Sequence, residues 1–548
     1  MPRRVVNFAG RGNGSPKCVL CGLLSCLLVA ILAGCDTGKP KPPAAQTAAS
    51  SPATVATSAT AQADPLLDGW DRPAATLVLS GEQHGYVEPC GCSETQSGGL
   101  ARRHDLFKQL RAKGWNPVGF DLGGTLKRTR RQSELKFRFT RNALDEMGYD
   151  AIGLGKEEIV LGPDALFAAY SESTNEGGDY RDGFDLPFVS ANVLIYGTRE
   201  IGTPQTHITQ VLPGASGTDA DTVTVGVTSV LGESYASSYQ GDPSSLQIQP
   251  PSEALPPVLE AMQNADIKVL LAHAKPEESL ALAQTFPQFD VVVTAGGAED
   301  PDPRPETVTH GDGSTSLLLR VSQKGKYVGV VGAYPAADGG YELKYELVDL
   351  DKNRFQTSPE MVAWMQTYQD QLKDEQLVEA MQPIAHPRGT GYVGAKACGE
   401  CHTTAYNIWK TSRHAKAFDS LAHGREGTED WWVNRQFDAE CLACHVTGWE
   451  PQEVERFEGG YVNVDQTPHL VGNQCENCHG PGQAHTELEA ALLAGGEFTD
   501  AHREQRQAVT LNKATAAADV CTKCHDLDNS PHFNFETYWP KVKHSGVN

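Results

Sequence analysis

A five-residue pattern, Cys-x-x-Cys-His, occurs four times between residues 398 and 525. Two thiols at this spacing reach the two vinyl groups of one porphyrin and form thioethers, and the histidine that follows is held beneath the iron. A structural zinc site also uses Cys-x-x-Cys pairs, but it does not require a histidine directly after each pair. The four repeats therefore predict covalent attachment of four haem c groups.

Each repeat supplies two attachment residues and one proximal iron ligand. The predicted attachment residues are Cys398, Cys401, Cys441, Cys444, Cys475, Cys478, Cys521 and Cys524. The predicted proximal ligands are His402, His445, His479 and His525. Because the repeats are close in the chain, we expect the haems to pack together and to supply much of the apolar core of this region.

The residues that could occupy the second axial position of each iron set the expected chemistry. No methionine follows Met381, so a histidine–methionine pair cannot form within this region. Methionine ligation raises the potential of a haem, and we therefore expect low-potential haems. Their second ligands are predicted to be mainly histidines, with an open or water-filled position as the alternative. Eight histidines are candidates, namely His386, His414, His423, His469, His485, His502, His532 and His544.

Four further segments accompany the repeats: Tyr392-Val-Gly-x-x-x-Cys398, Trp409-x-x-Ser412-x-His414-Ala415, Cys478-His479-Gly-Pro-Gly-x-x-His485 and Phe535-x-x-Tyr538-Trp539. They make residues 392–544 resemble the cytochrome c-554 family of tetrahaem cytochromes. The resemblance implies that His414 and His485 are distal iron ligands, and His532 and His544 are the next candidates by position. We expect a mainly α domain with little secondary structure at residues 383–548. His502 lies in a charged stretch and is expected to be solvated.

The first 34 residues have the composition of a targeting segment. A positively charged stretch precedes an apolar run from Cys18 to Gly34, which is short for a membrane span. The run ends in Leu32-Ala33-Gly34-Cys35 and resembles the cleavage box of bacterial lipoproteins. That resemblance implies that residues 1–34 are removed as a signal peptide and that Cys35 is lipidated. A plain signal peptide and an uncleaved anchor are the alternatives.

Residues 35–72 are rich in Ala, Thr, Ser and Pro. Such a composition cannot bury enough surface to offset its ordering entropy, so a flexible lipid tether is predicted. The protein is therefore expected to be exported, on the periplasmic face of a bacterial membrane. Its formal net charge of −23 argues against nucleic-acid binding, which needs a basic surface. The predicted partners are redox proteins and, through the lipid anchor, a membrane.

Between residues 73 and 356, short β-rich apolar runs alternate with helical patterns, which indicates an α/β domain. The predicted strands are Ala75–Leu79, Pro117–Leu122, Phe188–Leu194, Thr222–Val230, Ile267–Ala272 and Phe289–Thr294, and the predicted helices include Gly99–Lys113, Leu135–Met147 and Pro256–Asn264. The later runs Ser316–Val321, Tyr327–Ala333 and Tyr341–Leu350 are predicted to be antiparallel strands. Residues 357–382 are predicted to form a connecting helix, which makes the chain multi-domain.

Five features give the α/β region a second resemblance: Leu79-x-x-x-x-His84-Gly85, Gly98–Arg103, Asp121-x-Gly123, Ser190-Ala191-Asn192 and His273 after a strand. They resemble the metallophosphoesterase domain of 5′-nucleotidase-like proteins, which implies an α/β sandwich. In active relatives, carboxylates, an Asn and several His hold two metals that activate water.

Most of the metal-ligand positions differ in this chain. Glu82 stands where an Asp is expected, Gly123-Gly124 replaces Gly-Asp, Lys156 replaces an Asn, and Gly296–Glu299 replaces the late histidine motif. A two-metal site needs both ions in fixed geometry, so we expect no phosphoesterase activity.

The pair Cys90-Gly91-Cys92 follows His84 closely in the chain. His84, Cys90, Cys92 and His273 could together bind a single soft metal ion such as zinc or copper. The alternatives are a free dithiol, a loop that contacts a partner, or a loop without a ligand.

The predicted function is electron transfer by a lipid-anchored tetrahaem cytochrome, with the α/β domain as a docking or sensing module. One alternative is an oxidoreductase that acts on a small nitrogen compound at an open haem site. Another alternative is a redox-linked phosphoesterase.

Overall fold

The computed structural model describes residues 66–89, 96–128, 130–173, 187–198, 205–211, 222–337, 339–424, 428 and 431–545. Cys35, Cys90 and Cys92 lie outside the described residues, so the predictions made for them stay predictions. Leu66 and Leu67, at the end of the predicted tether, are buried in the core of the α/β region. No described helix combines the length and the apolar composition that a membrane crossing requires.

The α/β region contains 14 strands and seven helices among its described residues, and the predicted alternation of strand and helix is present. The strands are β1 (Ala75–Ser80), β2 (Pro117–Asp121), β3 (Tyr149–Gly153), β4 (Phe188–Val189), β5 (Val193–Ile195), β6 (His207–Val211), β7 (Val223–Leu231), β8 (Leu246–Ile248), β9 (Ile267–His273), β10 (Val291–Thr294), β11 (Glu306–Thr309), β12 (Thr315–Arg320), β13 (Tyr327–Pro335) and β14 (Tyr341–Asp349). The helices are α1 (Leu100–Ala112), α2 (Arg131–Met147), α3 (Lys156–Leu161), α4 (Pro163–Ser173), α5 (Glu233–Ala236), α6 (Pro251–Ala261) and α7 (Pro276–Thr285).

Twelve of these strands form two six-stranded sheets. The first sheet has the order β14-β13-β1-β2-β3-β4, and the second has the order β11-β12-β10-β9-β7-β6. In the first sheet, β1 pairs parallel with β2, β2 with β3, and β3 with β4. In the second sheet, β9 pairs parallel with β7 and with β10, and β10 pairs parallel with β12. Antiparallel strands extend both sheets at their edges, as β13 does beside β1. In parallel sheets the carboxyl ends of the strands meet at one edge, which is where such folds place their functional residues.

The two sheets pack face to face, and helices cover their outer faces. Successive residues of a strand point to opposite faces, and β1 illustrates this. Leu77 and Leu79 join the apolar cluster between the sheets, together with Val269 of β9, whereas Val78 joins the cluster beneath the helices. All of these side chains are buried. The predicted α/β sandwich is therefore confirmed.

The structure corrects three details of the sequence prediction. The predicted strand Phe188–Leu194 is divided into β4 and β5, which belong to different sheets. The run Ser316–Val321 corresponds to β12, which pairs antiparallel with β11 but parallel with β10. The predicted connecting helix divides into α8 (Pro359–Asp374) and α9 (Leu377–Ala380), because Gln376 between them has a left-handed backbone with φ of 50°.

The helix α8 is part of the α/β core and is not a free linker. Met361, Met365, Tyr368 and Leu372 recur at helical spacing and are all buried in the cluster that α1 and α2 also enter. Val433, which lies beyond the predicted linker, belongs to the same cluster. The apolar core of the α/β region therefore continues into the C-terminal region.

The C-terminal region is mainly helical, as predicted, and most of its helices are short. They are α10 (Ala395–Cys401), α11 (Thr403–Lys410), α12 (Ala417–His423), α13 (Ala439–His445), α14 (Cys475–His479), α15 (Gln483–Leu493), α16 (Asp500–Ala508), α17 (Lys513–Thr515) and α18 (Phe535–Tyr538). One two-stranded sheet, β15 (Trp449–Glu450) with β16 (Glu455–Arg456), accompanies them. The confirmed fold class is an α/β sandwich followed by a helical domain.

The burial of α8 generates a stability prediction. Replacing Leu372 by alanine removes an apolar side chain that is 1% exposed, and such a substitution destabilises a core by about 2–5 kcal/mol. We expect the thermal unfolding temperature of Leu372→Ala to fall clearly below that of Gln366→Ala, an exposed position of the same helix. Equal unfolding temperatures for the two variants would show that α8 is not part of the core.

Candidate haem centres

The backbone around each repeat brings its three functional residues to one side. In three repeats the cysteines lie in a short α-helix, namely α10, α13 or α14, and the fourth repeat begins with a 3-10 helix at Cys521–Lys523. Residues i, i+3 and i+4 share one face of a helix. The two cysteines and the following histidine can therefore reach the same porphyrin. None of these eight cysteines forms a disulfide, which is compatible with thioether formation.

Three proximal histidines have their Nδ1 atom engaged in a hydrogen bond. Nδ1 of His445 lies 2.7 Å from the carbonyl oxygen of Ala417, and Nδ1 of His479 lies 2.7 Å from that of Val509. Nδ1 of His525 lies 2.9 Å from Oγ of Ser530. A hydrogen bond at one ring nitrogen orients the imidazole and leaves the other nitrogen to bind a metal. In these three residues Nε2 is therefore the nitrogen left to bind a metal.

Three of the predicted distal histidines face a proximal histidine. Two imidazoles that bind one iron from opposite sides, each nitrogen about 2 Å from the metal, have ring centroids roughly 6 Å apart. The structure contains pairs at this separation: His402 with His485 at 6.4 Å, His479 with His544 at 5.7 Å, and His525 with His414 at 6.0 Å. The separations of the three pairs fit the spacing of two imidazoles on one iron, so the structure brings each of His485, His544 and His414 opposite a proximal candidate.

Burial favours the neutral imidazole that an iron ligand must be. Desolvation is the main cause that lowers the pKa of His414, His479, His485 and His525 below the usual histidine value. Nδ1 of His485 is buried and has no hydrogen-bond partner, although a carboxylate oxygen of Glu489 lies 3.8 Å away. The sites therefore keep their histidines ready for a metal at neutral pH.

The other histidines of the region have different surroundings. His532 is exposed, and its neighbour Phe533 stacks on the ring of His525 with a centroid distance of 4.6 Å. The distal role of His532 stays a prediction. His502 was expected to be solvated, and this is wrong, because it is 4% exposed and both ring nitrogens form hydrogen bonds. Its role is to join α16 to α15 through the carbonyl oxygen of Leu488.

The attachment cysteines of different repeats contact one another. Cys398 of the first repeat is hydrogen-bonded to Cys475 of the third, and Cys524 of the fourth is hydrogen-bonded to Cys444 of the second. Cys478 of the third repeat interacts electrostatically with Cys521 of the fourth. Asn477 of the third repeat also donates a hydrogen bond of 2.8 Å to the carbonyl oxygen of Val446, directly after the second repeat. The third repeat therefore contacts the other three, and the four repeats are contiguous in space.

The α/β region has its own cluster of polar residues at the carboxyl ends of β1 and β9. Glu157 lies between two histidines: Nε2 of His84 is 3.6 Å from one carboxylate oxygen, and Nε2 of His273 is 3.5 Å from the other. Burial lowers the pKa of His273 to about 4, so its ring is neutral at pH 7. The structure thus brings His84 and His273 together, as the metal-site prediction requires.

The partner of these two histidines is a carboxylate that the sequence reasoning did not select. Glu157 directly follows Lys156, which replaces an Asn of the phosphoesterase pattern, and this departure is the sequence signal that could have identified Glu157. Among the described residues, no group of three or more His, Cys, Asp or Glu is arranged to hold a metal ion. The second metal site therefore has no support in the described residues.

Two other phosphoesterase-like positions are occupied by internal contacts. The guanidinium of Arg103 lies 3.7 Å from a carboxylate oxygen of Asp121, and both side chains are 1% exposed. Ser80 donates a hydrogen bond of 2.6 Å to the same carboxylate. Asn192 uses its whole amide on backbone groups of Leu231 and Gln249. Neither Asp121 nor Asn192 is therefore free to coordinate a metal.

The surroundings of position 124 explain why this residue is a glycine. The backbone of Gly124 has a φ of 77°, a conformation that favours glycine. A Cβ atom there would lie 3.2 Å from both Cα of Glu82 and a ring carbon of His273. The ring of His273 thus takes up the space that the missing side chain would need.

The α/β region also contacts the loop that follows His525. Asp528 accepts hydrogen bonds from the hydroxyl group of Tyr86 and the ammonium group of Lys324. Its carbonyl oxygen accepts a hydrogen bond of 2.8 Å from Gln96. The fourth repeat is therefore tied to the same loop that carries His84.

Comparison with known proteins identifies the class of the C-terminal region. Residues 397–480 match the family described as cytochrome c554 and c-prime. The region is therefore a c-type cytochrome domain. It is similar to cytochrome c-554 of Nitrosomonas europaea, with 29% identity over 157 residues, which covers 26% of this chain and 59% of that protein. The predicted resemblance to the cytochrome c-554 family is confirmed, and c-type haem is its cofactor.

Solved structures similar to this chain include two from Thermus thermophilus. The 5′-nucleotidase precursor has 21% identity and a TM-score of 0.45, covering 57% of this chain and 60% of that one. The sulfate thiohydrolase SoxB has 16% identity and a TM-score of 0.44, covering 65% of this chain and 69% of that one. This chain thus spans about three fifths of the curated cytochrome and of the 5′-nucleotidase.

The buried pair of Arg103 and Asp121 generates a prediction. Removing one partner of a buried pair costs about 3–5 kcal/mol, because the other charge stays buried alone. Burial raises the pKa of Asp121, and Arg103 opposes that rise, so Arg103→Met raises this pKa further. A carboxyl group with a raised pKa in the folded state favours folding at low pH and loses that contribution as the pH rises through the pKa.

We therefore expect Arg103→Met to be strongly destabilised at pH 7 and less so near pH 4, relative to the natural protein. Thermal unfolding across this range measures the difference. Arg304→Met is the control, because Arg304 pairs with Asp302 at an exposed position, and it should leave the unfolding temperature unchanged. A stability loss of Arg103→Met that does not depend on pH would contradict the account.

Proposed function

We propose that this protein is an exported, lipid-anchored cytochrome with four haem c groups, and that it transfers electrons between redox proteins. The proposal is supported chiefly by the three facing imidazole pairs, which have ring centroids 5.7–6.4 Å apart. The similarity to cytochrome c-554 supports the same class of function. Haem bound at these residues supplies one-electron exchange between ferric and ferrous iron.

The residues of the chain have three roles in this function. The eight cysteines attach the groups covalently, and the paired histidines hold each iron from both sides, which leaves no position for a substrate at those sites. Histidine ligation without methionine favours low potentials. Contact among the four repeats brings the groups close together, and we expect electrons to pass between them. For the second repeat, His445 is the proximal ligand, and His532 is the remaining distal candidate.

The location follows from the N-terminal segment. Cleavage after residue 34 and lipidation of Cys35 would leave the mature chain tethered to a membrane, on the periplasmic side where c-type cytochromes similar to cytochrome c-554 are expected. The tether would present the folded part of the chain to redox partners. The net charge of −23 suits a partner with a cationic docking surface.

The α/β region is proposed to support and position the haem region and not to hydrolyse phosphate esters. This part of the proposal is supported by the internal use of Asp121 and Asn192 and by the contacts to Asp528 described above. The oxidoreductase with an open haem site and the redox-linked phosphoesterase remain the alternatives. Haem spectroscopy distinguishes the open-site oxidoreductase from an electron carrier, and phosphatase assays distinguish the phosphoesterase.

Spectroscopy of the oxidised holoprotein tests the ligation. We expect low-spin ferric haem at the three paired sites, because two imidazoles produce a strong ligand field. Replacing His414, His485 or His544 by alanine should each convert one haem to a high-spin form that binds cyanide. His386→Ala is the control, because His386 packs against Phe457 and Tyr392. Unchanged spectra for the three distal variants would overturn the proposed ligation.

A high-spin haem that binds nitric oxide in the natural protein would favour the open-site oxidoreductase. The haem content of the same samples, measured per chain, tests the number four.

Phosphatase assays test the α/β region. With added manganese or zinc, we expect the natural protein to hydrolyse a generic phosphate ester no faster than the variant in which both His84 and His273 are alanine. This follows because Asp121 and Asn192 are occupied by internal contacts. Metal-dependent hydrolysis that disappears in the double variant would instead support the phosphoesterase.

A further inference from the structure

The helix that carries the second attachment repeat is held at its N-terminus by the α/β region. Asp438 precedes α13 and caps it, accepting a hydrogen bond of 3.0 Å from the backbone of Glu440. The same carboxylate accepts hydrogen bonds of 2.7 Å from Gln132 of α2 and 2.9 Å from Gln369 of α8. Asp438 is 5% exposed. Two side chains from outside the haem region therefore determine where this cap lies.

The next carboxylate along α13 also binds the α/β region. Glu440 lies directly before Cys441 and accepts a hydrogen bond of 2.6 Å from the ammonium group of Lys136. The Lys136 side chain is 7% exposed, and its ammonium also lies 3.3 Å from the carbonyl oxygen of Gly85. The Glu440 side chain is 33% exposed, so it is the buried ammonium of Lys136 whose charge is weakly screened by solvent. The two charges therefore act electrostatically, at short range, on a group attached to Cys441.

A third contact strengthens the same junction. Arg435 and Glu88 form an ion pair in which Arg435 is almost completely buried. The guanidinium also lies 4.6 Å above the ring of Trp432. These contacts, like those of Asp438 and Glu440, join the segment that leads into α13 to the α/β region.

We propose that the α/β region supplies the outer coordination environment of the second haem, with Lys136 setting its reduction potential and Gln132 and Gln369 acting as positioning residues. The inference rests on the proposed function, in which Cys441, Cys444 and His445 hold a haem. An oxidised haem carries one more positive charge than a reduced one. The ammonium of Lys136 therefore favours the reduced form, and the carboxylate of Glu440 favours the oxidised form.

Two single variants of the holoprotein test the proposal, because they must shift one potential in opposite directions. Lys136→Met leaves Glu440 uncompensated and lowers the potential of the second haem. Glu440→Gln removes the negative charge beside Cys441 and raises it. We expect each variant to change the equilibrium constant for reduction about tenfold, which is about 59 mV for a one-electron couple. Potentiometric titration followed by visible and electron paramagnetic resonance spectra resolves the components.

The controls separate an electrostatic role from loss of structure. The double variant of Lys136→Met and Glu440→Gln should return the potential close to its natural value. Arg131 lies on α2, as Lys136 does, and forms an ion pair with Glu375 at the surface. Arg131→Met removes this ion pair and should leave all potentials unchanged. Shifts of both single variants in the same direction, no shift, or equal shifts of every haem would overturn the inference. A natural protein with fewer than four haems and no haem at Cys441 would instead refute the proposed function.

Discussion

The distance between two facing imidazole rings is the constraint on which the C-terminal region depends. Ring centroids about 6 Å apart leave room for one iron between two nitrogens, and three such pairs occur in one short region. To place them, the chain uses short helices that end at the repeats and long excursions that return a second histidine. Each of the three distal candidates faces a repeat that is not its nearest one in the chain. His485 follows the third repeat but faces His402 of the first. His414 faces the fourth repeat, and His544 faces the third. Regular secondary structure is therefore limited by ligand placement.

The α/β region follows a different logic, because its stability does not depend on a bound group. Its core lies between two sheets. Polar residues near the carboxyl ends of the strands form contacts with one another and with the backbone. A guanidinium lies on Asp121, backbone groups engage Asn192, and Glu157 separates two histidines. Each of these contacts stabilises the fold and at the same time occupies an atom that a metal would need. Asp121 and Asn192 therefore contribute to the rigidity of the α/β region through contacts within the fold.

The sequence predicted the parts that depend on local spacing. Cysteine repeats, strand alternation and the two resemblances were readable because each is a pattern within a few residues. The resemblance selected His414 and His485 as distal candidates, and position along the chain selected His532 and His544; the structure places three of the four opposite a proximal candidate. What the sequence did not reveal are contacts between distant segments: the solvated position predicted for His502 was wrong, because its partner Leu488 lies on another helix. The partnership of Lys136 with Glu440 likewise depends on how two regions meet.

The continuity of the core across the two regions has a consequence for the modularity of the gene. Val433 is buried among side chains of α2 and α8, and Asp438 has its hydrogen-bond donors there. A haem region that begins at residue 383 would expose the apolar side chain of Val433 to water. Its Asp438 carboxylate would lose the hydrogen bonds that Gln132 and Gln369 donate. The two halves therefore cannot be exchanged for homologous halves by recombination at the linker, unless the residues on both sides of the junction change together. The α/β region and the haem region are therefore expected to change together during evolution.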